Sequence, residues 1–178
     1  GVTLYVTMLT IFKIIIYKFS GQKDFSVGGS FAKRKLAEIH GILGMVINTL
    51  PLRTPLDPEV SFEEYLQQVS QTCLEAMEFE ETTFGEIVNN LDVRRDLKNL
   101  PLVQVAFGFM DTPTKILDLP EVTLNVEHLH NNTAKFDLMF MVVTPKEQLN
   151  SHEENTHDQI IIECEYNKEI FDKETVQR

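Results

Sequence analysis

The sequence predicts a mixed α/β fold, a mixed β-sheet flanked by helices. Three observations carry that expectation. Helix and strand patterns alternate in the first half, the period turns to two after Pro101, and strand-like segments then follow one another. At 178 residues the chain is one domain or one large subdomain, and 43% hydrophobic residues with no low-complexity tract argue for a packed core rather than disorder.

The first element is a helix over Val2 to Phe19, apolar nearly all round and so expected to be covered on several sides. Lys13 and Lys18 interrupt it, which leaves its unbroken apolar content short of the roughly 20 residues that span a bilayer. Its lysines come late, the reverse of a signal peptide. No Ser, Thr, Asp or Asn caps it immediately after Gly1, and the chain therefore reads as cut at its start. A strand follows near Phe25 to Phe31, and another over Met45 to Arg53. Pro51, Pro55 and Pro58 then mark a turn-rich link.

Ser61 predicts a helix start, because Glu64 three residues on completes a capping box. Phe62, Tyr65, Leu66, Val69, Cys73, Leu74 and Met77 recur at helical spacing behind it. A second helix is expected over Phe84 to Leu91. Val103, Val105, Phe107 and Phe109 then alternate with smaller or polar residues, the period of a strand with one apolar face. Val122 to Leu129, Phe136 to Val143 and Gln159 to Tyr166 continue as strands, with a polar loop over Pro145 to Asp158. Asp172 opens a capped helix that the sequence leaves after two turns, so this end also reads as cut.

Three segments carry more specific information. In Leu43 to Arg53, Leu-Gly-Met-Val-Ile-Asn-Thr-Leu-Pro-Leu-Arg, an apolar strand runs into the polar pair Asn48-Thr49 and then Arg53. An amide, a hydroxyl and a guanidinium there must find partners or face a cleft. The segment resembles a core motif of the condensation domains of nonribosomal peptide synthetases, Ile-Gly-x-Phe-Val-Asn-Thr-Leu-x-x-Arg. Arg95-Asp96-Leu97-Lys98-Asn99-Leu100-Pro101-Leu102-Val103-Gln104-Val105-Ala106-Phe107 is similar to a second family motif, with Lys98 in place of the usual Ser. Between them, Thr82 to Leu91 resembles the His/Asn-Gln-Asp-x-Pro-Phe-Glu segment and its helix. Phe84 matches, while Phe79, Glu80, Glu81, Thr83 and Gly85 depart from it. Gly21 to Gly28, Lys135-Phe136-Asp137-Leu138 and Glu165 to Asp172 also look like family positions. In the stretch from Val27 to Arg34, Gly29, Ser30, Phe31 and Lys33 replace the family's usual residues.

The resemblance covers nearly all of residues 1–178 but only the C-terminal portion of such a domain, and it implies a chloramphenicol acetyltransferase-like C-terminal subdomain, truncated at both ends. It implies a complete domain that joins two carrier-tethered substrates by an amide bond, with phosphopantetheine arms carried by partner peptidyl carrier proteins and no cofactor bound directly. The implied partners are those carrier proteins and the N-terminal condensation subdomain; two cysteines, too few for a disulfide framework, point to the cytoplasm. The family's catalytic His-His-x-x-x-Asp-Gly motif is absent, since none of His40, His128, His130, His152 and His157 is adjacent to another. No catalytic residue is therefore assigned, and the isolated piece is not expected to be active. Epimerisation and cyclisation relatives share the architecture. A non-catalytic module that binds carriers and a coenzyme A-dependent acyltransferase are the other readings, the last disfavoured by the lack of tryptophan.

The expected site residues follow from the motifs. Asn48 and Thr49 either cap backbone groups of a crossing loop or line the pantetheine tunnel. Arg53 and Arg34 are candidate buried guanidinium anchors, with Asp96 and Asp137 as candidate partners. Phe84, Arg95 and Pro101 complete the motif set.

Other constellations carry less. Cys73 and Cys164 sit in helical and strand patterns and read as buried thiols. His128 and His130 share one side of a strand, without further zinc ligands at recognisable spacing. Glu78, Glu80 and Glu81 read as a solvated helix end. Gly28-Gly29 lacks the rest of a dinucleotide fingerprint. Lys33, Arg34 and Lys35 form one short basic run against a net charge of −11, which disfavours nucleic acid.

Overall fold

The computed structural model describes residues 1–32, 44, 47–91, 101–111, 131–145 and 159–177. Helix α1 (Leu4–Ser20) leads to strands β1 (Ser26–Ala32) and β2 (Ile47–Arg53), helices α2 (Phe62–Glu78) and α3 (Phe84–Asn90), strands β3 (Val105–Met110), β4 (Leu138–Val143) and β5 (Ile161–Tyr166), and the short helix α4 (Lys173–Val176). The strands form one mixed five-stranded sheet in the order β2-β1-β3-β4-β5. The expected strand over 122–129, the basic run and most of the 145–158 loop lie outside the described residues.

The chain divides into two compact units, residues 1–107 and 108–178. In the first, β1 pairs antiparallel with β2, Ser26 opposite Arg53 through Ala32 opposite Ile47, and parallel with the start of β3, Val27 opposite Val105. Helix α1 lays Val6, Leu9 and Phe12 into the core beside Val27, Leu50, Leu52 and Phe107. Phe12 stacks on Phe107 with centroids 5.9 Å apart, and Tyr5 meets the same ring edge-on at 5.4 Å. Each such fully buried large side chain contributes on the order of 1.5–3 kcal/mol.

Helix α2 buries Tyr65, Val69 and Cys73, one stripe at four-residue spacing, and its N-terminus carries the predicted capping box. The Tyr65 hydroxyl donates to the Thr54 carbonyl at 3.1 Å, and burial pushes its ionisation up to about 12. Gly28 lets β1 approach its neighbours closely, since a Cβ there would stand 2.6 Å from Val103 Cγ1.

In the second unit, β4 pairs antiparallel with β5, Leu138 opposite Tyr166. The Thr144 amide donates to the Met110 carbonyl at 2.9 Å. Gly108 leaves room for the Met141 thioether, whose Sδ would lie 2.6 Å from an added Cβ.

Four expectations are corrected. Thr3 caps α1, its hydroxyl accepting from the Val6 amide, so the helix does not begin uncapped. Pro51 lies within β2 opposite Gly28 rather than in the link. An edge strand tolerates it because one side has no ladder partner. The helix after Asp172 spans four residues rather than two turns, although Asp172 is its N-cap. Glu80 is buried at 4% exposure rather than part of a solvated helix end, with its carbonyl held against β2 by the Asn48 amide.

Candidate functional site

Strand β2 alternates cleanly. Asn48, Leu50 and Leu52 are buried, while Thr49 and Pro51 are half-buried and Ile47 and Arg53 exposed. An amide on the buried face needs acceptors. Asn48 finds two, its Nδ2 donating to the Glu80 carbonyl at 3.0 Å and the Thr82 carbonyl at 2.7 Å. A carboxamide has two N–H bonds, and both are committed here. The side chain thus fixes the α2–α3 loop on β2.

Thr83 immediately follows this loop and caps α3. Its hydroxyl accepts from the Glu86 amide, and the Glu86 carboxylate accepts from the Thr83 amide at 2.8 Å. Phe84, half-buried, is the first residue of that helix. Asn48 therefore ties the segment at 47–53 to the segment at 79–91, although the latter departs from the family pattern at five positions.

Thr49 is half-buried opposite Ser30, with its Cγ2 methyl near the bare face of Gly28. Arg53 corrects the expectation of a buried anchor. It is exposed, and it grips Asp24 with two parallel bonds, Nε to Oδ1 at 2.8 Å and Nη2 to Oδ2 at 2.6 Å. Its place at the end of the outward-facing row, opposite Ser26, brings Asp24 alongside. The guanidinium's hydrogen bond holds the Asp24 carboxyl below its usual range.

Pro101 accepts from the Val103 amide at 2.8 Å across a three-residue turn with Leu102 at φ +66°. In the second unit, the Asp137 carbonyl accepts from the Asn167 amide at 2.9 Å, which joins the segment around Asp137 to the one around Asn167. Arg34, Arg95, Asp96, His128 and His130 lie outside the described residues. Among the described residues no group of three or more His, Cys, Asp or Glu side chains could hold a metal. No helix among them is long and apolar enough to cross a membrane.

One buried group escapes a reading of the sequence. Lys13 is fully buried, its Nζ donating to the Leu52 carbonyl at 2.8 Å and lying 5.6 Å from the centroid of the Phe25 ring. Burial lowers its ammonium to about 8. The signal is present, because Val6, Leu9 and Lys13 share one stripe at helical spacing. Cys73 is buried nearby on α2, and burial pushes its thiol up to about 11, as suits an inert cysteine. Cys164 is half-buried rather than buried, and desolvation raises it too.

Residues 1–178 match the family model described as Condensation domain. The chain belongs to the condensation-domain family. This condensation-domain segment is 33% identical to tyrocidine synthase 3 of Brevibacillus parabrevis, over 100% of its own length and 3% of that protein. It is also 33% identical to gramicidin S synthase 2 of Brevibacillus brevis, over 100% of its length and 4% of that protein. It thus spans only a few per cent of these relatives. Among solved structures, the X-domain from teicoplanin biosynthesis aligns with a TM-score of 0.83 at 19% identity, covering 99% of this chain and 38% of that one. A four-domain nonribosomal peptide synthetase aligns with a TM-score of 0.82 at 15% identity, covering 99% and 14%. The mixed sheet with flanking helices is therefore the condensation-domain, chloramphenicol acetyltransferase-like fold.

Proposed function

We propose that this condensation-domain segment is the C-terminal part of a unit that forms amide bonds between carrier-tethered substrates. The family match across residues 1–178 carries this reading, and the Asn48 clasp between two motif segments supports it. The acceptor's free amine attacks the carbonyl carbon of the donor thioester. A C–N bond forms, the C–S bond breaks, and the donor thiol leaves with the proton that balances the step.

Residues 1–178 contain no adjacent pair of histidines, so the base is assigned to a His-His-x-x-x-Asp-Gly motif outside them. This segment supplies structure. Asn48 holds the α2–α3 loop, Arg53 and Asp24 fix the end of β2, and the Asp137–Asn167 bond joins two motif segments of the second unit. The phosphopantetheine arms of the partner carrier proteins present the thioesters.

The test uses the full-length polypeptide with donor and acceptor carrier proteins loaded with aminoacyl groups. Intact-mass spectrometry of the acceptor carrier should show the donor acyl group added to it. A second reading, carrier or partner binding without turnover, draws on a structural neighbour solved as a complex of an X-domain with OxyB. Carrier binding with no transfer from any loaded donor would favour that reading over amide formation.

A further inference from the structure

We draw no further inference here: the strongest candidate, the side-chain cluster of Lys13 and Cys73 buried where α1 meets β2 and α2, carries nothing, because the bond from Lys13 to the Leu52 carbonyl belongs to the packing already described and the link between the Lys13 amine and the Cys73 thiol rests on a shift in ionisation alone.

Discussion

Asn48 and Lys13 are two buried polar side chains on opposite terms with their surroundings. Asn48 satisfies two loop carbonyls and is satisfied by them. Its removal strands acceptors in the interior, a loss of about 1–3 kcal/mol. Asn48→Asp should be worse than Asn48→Ala, since a carboxylate cannot donate and would face two carbonyl oxygens. Urea midpoints of the two variants check this, and an aspartate variant as stable as the parent would refute the clasp. Lys13 is the reverse case, an ammonium that donates to the Leu52 carbonyl from an apolar setting. Its folded value of about 8 lies below its ordinary 10.5. Above about pH 8 the folded chain therefore binds fewer protons than the unfolded chain, and stability rises with pH until the unfolded lysine also deprotonates. Cys73 and Tyr65 work against this trend, because their raised values cost stability once the pH passes 9.0 and 10.0 respectively, the ordinary values at which the unfolded groups ionise. Between pH 8 and 9 the lysine dominates. The melting temperature should climb across that window in the parent and stay flat in Lys13→Met, which should also melt higher at pH 7. A parent profile that falls from pH 8 to 9 would contradict the assignment.

At the scale of the elements, local chemistry is legible in the sequence and pairing is not. Ser61 with Glu64 announces α2, and Thr83 with Glu86 forms the same box on α3, because a capping box is written within four residues. Asn48 stands out for its polarity at the end of an apolar strand, but its partners at Glu80 and Thr82 lie more than thirty residues away and no local rule finds them. The partner of Arg53 is hidden for the same reason, since Asp24 comes to it only through the β1–β2 register. Lys13 interrupts an apolar run in the sequence, whereas the stripe it shares with Val6 and Leu9 points inward. Gly28 shows what register imposes on a strand. Gly28→Ala would drive a methyl into Val103 Cγ1, 2.6 Å from the new Cβ, in a core with no slack. The cost should be about 1–3 kcal/mol, with a lowered urea midpoint and an unchanged slope. A neutral Gly28→Ala would mean that β1 and the Val103 turn are free to separate.

Across the whole sheet, the two edge strands are protected unequally. Strand β2 closes one edge with Pro51, which cannot donate to an added strand, and with the Arg53–Asp24 ion pair at its end. Strand β5 closes the other with Ile160, Ile161 and Ile162 at its entrance, exposed by 41%, 38% and 49%. Ile161 and Ile162 point to opposite faces of the strand, so both faces of this edge are apolar where it begins. An edge of this kind offers unpaired backbone groups and an apolar surface together, which favours strand-to-strand association of one copy with another. Glu163 and Glu165 follow on the face of Ile161, and their charge limits the association at the far end of the strand. The 178-residue chain should therefore bind a hydrophobic dye more strongly than a compact protein of equal size and should self-associate as its concentration rises. Ile162→Lys should lower both signals with little change in melting temperature, because a half-exposed edge position contributes little to the core. Sedimentation velocity with parallel dye fluorescence separates the outcomes. A variant that loses dye binding yet still self-associates would place the contact elsewhere on the surface, and one that loses neither would remove β5 as the exposed edge.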